Sequence, residues 1–155
     1  MWKRIRPYVL SIAIALAVGG LSALVTNDSM KFYEHLMKPP LAPPGTVFPI
    51  VWTILFVLMG ISAALVYTSD NTAKNRALTL YAVQLVVNFF WPVFFFVIQA
   101  RLFSFFWLLL LLVLVIAMTV QFSKHSKLAA WLQAPYIAWL IFAAYLNMAA
   151  YILNG

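Results

Sequence analysis

The chain has 155 residues and a formal net charge of +7, with 66% of its residues hydrophobic, 17% aromatic and only 8% charged. A soluble domain is about 25% charged, so this chain has too few charges to coat a compact core, and its length suits a single domain over 1–155. Disordered, collagen-like and disulfide-stapled chains are excluded by the same composition and by the absence of cysteine, which also removes thiolate nucleophiles and thiolate metal sites.

A helix that crosses the hydrocarbon needs about 20 apolar residues. Five stretches reach that length: 7–26, 47–68, 77–99, 102–121 and 128–153. None contains Asp, Glu, Lys, Arg or His. They lack the alternating polarity of barrel strands. The predicted fold is therefore an all-α membrane protein, a five-transmembrane-helix bundle. Lys3, Arg4 and Arg6 precede the first span, whose apolar run is longer than the roughly 7–15 residues of a signal peptide, so it reads as a retained anchor. Ala15, Gly19 and Ala23 recur every four residues on it, and Gly60 with Ala64 does so on the second span. Such small residues mark close helix contacts, internal or between copies.

The first loop, 27–46, is the longest. Pro39, Pro40, Pro43 and Pro44 stiffen it and Gly45 follows as a turn residue, so it is either a rigid connector or a lid. Trp52 and Phe56 stand near the start of the second helix. On the third, Gln84, Asn88, Trp91, Phe95 and Gln99 share one face. On the fifth, Tyr136, Trp139, Ala143 and Asn147 share another. Trp2 and Trp131, close to span ends, read as interfacial anchors. Amides in hydrocarbon need partners, so Gln84, Asn88 and Asn147 should point into the bundle, as interhelical contacts or as part of a site.

Seven basic residues (Lys3, Arg4, Arg6, Lys74, Arg76, Lys124, Lys127) fall on one side of the predicted topology and three (Lys31, Lys38, Arg101) on the other. The positive-inside rule places the N-terminus in the cytoplasm and the C-terminus outside, in a bacterial cell membrane. Charges in short clusters between apolar runs are a topology signal and do not form a nucleic-acid surface.

The three acids, Asp28, Glu34 and Asp70, and both histidines, His35 and His125, lie in loops. The spans therefore hold no ionisable group for proton coupling, no metal cluster and no acid–base pair. No catalytic residue is assigned and no cofactor is required. At about 1.5 Å per residue, Trp52 lies roughly 7 Å below the outer end of its helix, Asn88 roughly 16 Å, Trp91 roughly 12 Å, Trp139 roughly 20 Å and Ala143 roughly 13 Å. Three helices thus bring aromatics and an amide to overlapping depths beneath the Pro-rich loop, which suits a flat hydrophobic ligand.

The run Lys38-Pro39-Pro40-Leu41-Ala42-Pro43-Pro44-Gly45, continuing into Phe48, Val51-Trp52 and Met59-Gly60, resembles the TspO/MBR family, the translocator proteins once called peripheral benzodiazepine receptors. The segments 80–92 and 135–143 and the pair Leu146-Asn147 are similar to that family's third and fifth helices, while the fourth helix matches only in character. The resemblance covers about 33–147. It implies a homodimer, most often through the third helix, where the run 94–96 offers aromatic surface, and a cavity for porphyrins and related ligands under the first loop. Carried across residue by residue, it implies that Tyr33, Trp52, Asn88, Trp91, Trp139, Phe142, Ala143 and Leu146 line or close that cavity. Protoporphyrin IX would stack on Trp52, Trp91 and Trp139 and hydrogen-bond to Asn88. The alternatives are light-dependent porphyrin breakdown and small-molecule transport. Leu41 stands where the family often has Trp, and Trp107 where many members have Asp. Neither Tyr145 nor Tyr151 completes the sterol motif of animal members, because no basic residue follows Lys127.

Overall fold

The computed structural model describes residues 2–26, 35–69 and 74–154. Five helical spans are each long and apolar enough to cross a membrane. They are built from α1 (Trp2–Thr26), α2 (Val47–Tyr67), α3 (Lys74–Pro92) with a π-helical continuation (Val93–Val97), α4 (Arg101–Ser123), the short α5 (Lys127–Trp131) and α6 (Ala134–Asn154). Asp28, Tyr33, Glu34 and Asp70 lie outside the described residues.

The helices form a ring: α1 packs on α2 and α3, α3 on α4, and α4 on α6. Between α2 and α6 the contact is made by large aromatics, with Phe48 edge-on to Trp139 (centroids 5.9 Å apart) and Trp52 edge-on to Tyr136 (6.1 Å). Leu10, Ile14, Leu21 and Leu24 on α1 and Phe103, Phe106 and Val113 on α4 are exposed, as a lipid-facing surface requires. Gly19 and Gly60 serve internal packing, whereas Ala23 is exposed. A methyl group at Gly60 would meet the Ile12 backbone at 2.5 Å, and one at Gly19 would meet the Phe56 ring at 2.5 Å, so α1 and α2 approach closely at two levels.

The main differences from the expected spans are in the first, third and fifth. The first helix begins before Pro7, at Trp2, carrying its basic residues within its first turns. The third begins at Lys74, whose ammonium donates to the Tyr67 carbonyl at 2.8 Å and sits over the Tyr67 ring, closing the end of α2. The fifth span is broken: Leu132 and Gln133 separate α5 from α6 just ahead of Pro135. Proline lacks an N–H and crowds the carbonyl four residues back, which interrupts the helix there. The Ser126 hydroxyl caps α5 by accepting from the Ala129 N–H at 3.1 Å.

The π-helical segment after Pro92 also changes a facing. It turns Phe95 and Phe96 both inward, so the run 94–96 is not surface, and Phe94 packs edge-on against Phe103 and Trp107 at 4.9 Å each. Gln99 leaves the stripe of Gln84, Asn88 and Trp91 altogether. It adopts φ +62° at the helix end, where the Ala100 N–H closes the turn onto the Phe94 carbonyl.

Candidate functional site

The polar residues of α3 and α6 face each other along the bundle interior. Both helices run in the same direction, so equivalent turns meet. The Asn88 amide nitrogen donates to the Tyr136 hydroxyl at 2.6 Å, and that hydroxyl donates to Gln84 Oε1 at 2.7 Å. One turn or more outward, Asn147 forms a second node. Its Oδ1 accepts from the Trp91 indole N–H at 3.0 Å and lies 3.1 Å from the Ser104 hydroxyl, while its Nδ2 donates to the Arg101 carbonyl at 2.7 Å. Tyr136, Gln84, Asn88 and Asn147 are all buried. Neutral amides survive in this apolar interior because each finds a partner. The Trp107 indole donates to the Val87 carbonyl at 2.8 Å, tying α4 to α3.

Around these two nodes the structure places three spaces. The first is a cavity of about 190 Å³ bounded by α1, α2 and α3, with Trp52, Phe56, Asn88, Trp91 and Phe96 among its walls and Ser22 and Thr26 opposite. The second, about 20 Å³, lies under the Pro-rich loop between Trp91, Ala143, Leu146 and Asn147. Phe48, Trp91 and Phe96 line both, and so form the partition between them. The third is an open groove of about 350 Å³ between α2 and α6, lined by Val51, Ile54, Ala138, Trp139 and Phe142.

Of the residues singled out in the sequence, Trp52, Asn88 and Trp91 meet in the first cavity, Ala143 and Leu146 join Trp91 at the second, and Trp139 with Phe142 borders the outer groove. Tyr33 falls outside the described residues. The sequence reading missed the α1 wall, Gly19, Ser22, Ala23 and Thr26. Its signal was the polar pair Ser22/Thr26 at helical spacing beside the small residues. The Ser22 hydroxyl donates to the Phe89 carbonyl at 3.0 Å and that of Thr26 to the Ser22 carbonyl at 2.9 Å, so neither is left as an open donor.

The Pro-rich loop is strapped over this end. The Met37 N–H and carbonyl pair with the Asn154 amide at 3.0 Å each, and the Tyr145 hydroxyl donates to the Pro40 carbonyl at 2.7 Å. Pro39 to Ala42 forms a tight turn closed by a 3.2 Å hydrogen bond, with Leu41 at φ +73° and its side chain exposed. Leu41 therefore points away from the cavities.

A bundle of five apolar spans, with aromatic-walled spaces between its helices, defines a polytopic α-helical membrane protein. Residues 11–153 match the TspO/MBR family model. The chain is 36% identical to the "Tryptophan-rich protein TspO" of Chlorobaculum tepidum, over 99% of both chains. It is 34% identical to the protein of that name from Archaeoglobus fulgidus, over 95% of this chain and 96% of the relative. It is also 34% identical to the "Translocator protein" of Homo sapiens, over 94% and 87% respectively. The chain belongs to the TspO/MBR family and is an integral membrane protein.

Proposed function

We propose that the protein binds flat hydrophobic ligands of the tetrapyrrole class, protoporphyrin IX being the model compound, in the cavity walled by Trp52, Trp91 and Phe96. The observation that carries this reading is the pairing of ring faces with one amide in a buried space: Asn88 lines the cavity, and one of its two N–H donors is already given to Tyr136. One N–H is spent there, so the second N–H and the amide oxygen are the groups offered to a ligand, a donor and an acceptor suited to a macrocycle's polar edge. The cavity of about 190 Å³ is smaller than the roughly 300–1,000 Å³ of a drug-sized site, so a macrocycle requires the Phe48/Trp91/Phe96 partition to move.

The test is a titration of the purified protein in lipid nanodiscs with protoporphyrin IX, read by quenching of tryptophan fluorescence. Saturable binding weakened by Trp52→Phe and Trp91→Phe supports the site. Binding that neither variant alters places the ligand elsewhere, and no saturable binding ends the proposal. Loss of porphyrin absorbance under illumination would move the reading to light-dependent breakdown. On this reading the site works as a receptor or carrier in a bacterial cell membrane, with the N-terminus cytoplasmic. Any homodimer would use the exposed aromatics Phe90, Phe103 and Phe106, because Phe95 and Phe96 are turned inward.

A further inference from the structure

The ring of helices is not closed in the same way at every seam. The pairs α1–α2, α3–α4 and α4–α6 pack closely along their lengths, and α2 with α6 is not among them. At Gly60, α2 comes directly onto the Ile12 backbone of α1. The α2/α6 seam rests instead on two ring pairs, and outside them lies the open groove of about 350 Å³ between two membrane spans. Ile54 and Ala138 line that groove and are exposed, so its mouth opens toward the hydrocarbon.

The two ring pairs are held differently. In the Trp52–Tyr136 pair, the Tyr136 hydroxyl is latched by hydrogen bonds with Asn88 and Gln84. In the Phe48–Trp139 pair, the Trp139 indole N–H is buried and has no hydrogen-bond partner among the described residues. The indoles of Trp91 and Trp107, by contrast, donate to Asn147 Oδ1 and to the Val87 carbonyl. Trp139 sits between Phe48 at 5.9 Å and Phe142 at 5.5 Å, held there by ring contacts. Trp139 lines the groove, while Phe48 lines both inner spaces. One layer of rings therefore separates the lipid-facing groove from the interior.

We infer that this groove is a lateral entrance, through which apolar ligands pass between α2 and α6 from the hydrocarbon into the inner spaces, with Trp139 as its door. The inference rests on the reading of the site as one for flat hydrophobic molecules. Such a molecule leaves water for the hydrocarbon and so reaches the side of the bundle. Passage there displaces an indole that has no hydrogen bond to give up. Passage under the Pro-rich loop breaks the hydrogen bonds that tie Met37 and Pro40 to α6. The loop enters α2 at Val47, whose N–H donates to the Pro44 carbonyl at 3.0 Å, one residue ahead of Phe48. Loosening the strap therefore also loosens the inner ring of the door.

Stopped-flow mixing of protoporphyrin IX with the full chain in lipid nanodiscs, beside an equilibrium titration, tests this. A residue on the route but outside the site changes association and dissociation by the same factor and leaves Kd unchanged. Ala138→Phe narrows the mouth from an exposed position and should slow both rates several-fold. Trp139→Leu shortens the door and should speed both several-fold; where that variant fails to fold, Ala138→Phe decides alone. Saturable binding whose rates Ala138→Phe leaves unchanged overturns the entrance while the site stands. So does a changed Kd with an unchanged association rate, which would make these residues part of the site itself. No saturable binding by the unaltered protein ends both the site and the entrance.

Discussion

Tyr136 is the shared partner of two amides, and Tyr136→Phe removes one oxygen atom while keeping the ring in place. Two hydrogen bonds are lost, from Asn88 Nδ2 at 2.6 Å and to Gln84 Oε1 at 2.7 Å. Their fates differ. Asn88 borders the 190 Å³ cavity and regains a partner from whatever fills it, whereas Gln84 is sealed at zero exposure. The cost therefore concentrates on one orphaned acceptor, about 1–3 kcal/mol. Reversible unfolding in mixed micelles of rising SDS content, followed by tryptophan fluorescence, measures it. Gln84→Leu in the Tyr136→Phe background removes the orphan, so the double variant should lose less stability than the sum of the singles. Side-chain hydrogen bonds in membranes give coupling energies averaging about 0.6 kcal/mol and reaching about 1.7 kcal/mol, and this pair should fall in that interval. Additivity within about 0.3–0.5 kcal/mol would refute the bond as a stabilising contact between α3 and α6.

Gly60→Ala should destabilise the bundle by about 1–3 kcal/mol in the same assay, because its methyl group would meet backbone rather than a movable side chain. Ala143→Phe should lower stability by a similar overpacking cost of about 1–3 kcal/mol, since Ala143 borders a space of only about 20 Å³. Unchanged stability with lost porphyrin binding would instead show that this space opens in solution. Combining Asn154→Leu with Tyr145→Phe cuts the hydrogen bonds that tie Met37 and Pro40 to α6, and stopped-flow fluorescence should show faster porphyrin dissociation with the bundle's unfolding midpoint little changed. With no native cysteine to interfere, an impermeant thiol reagent applied to intact cells should label Gly45→Cys and spare Ser69→Cys; the reverse pattern would invert the proposed orientation.

The five spans were legible in the sequence because hydrocarbon imposes a length and a composition on each of them independently of its neighbours. The facing of Asn88, Trp91, Tyr136 and Asn147 was legible for the same reason. A 3.6-residue period is local, and a polar group in a lipid-facing stripe has no partner. Helix interruption was less accessible. Pro92 and Pro135 are visible in the chain, yet one leads into a π-helical turn that carries Phe96 inward and Gln99 off the stripe, while the other splits the fifth span. Which outcome occurs depends on what packs around the displaced carbonyls. The division of one expected cavity into three was decided by tertiary structure alone. Trp91 and Phe48 stand between two spaces, and Trp139 turns toward the outer groove, because the α2/α6 seam is closed by ring edges whose positions depend on both helices at once. The same holds for hydrogen-bond pairing. Spacing put Asn88 on the inner face, but only the proximity of Tyr136 decided which protein group its amide nitrogen donates to.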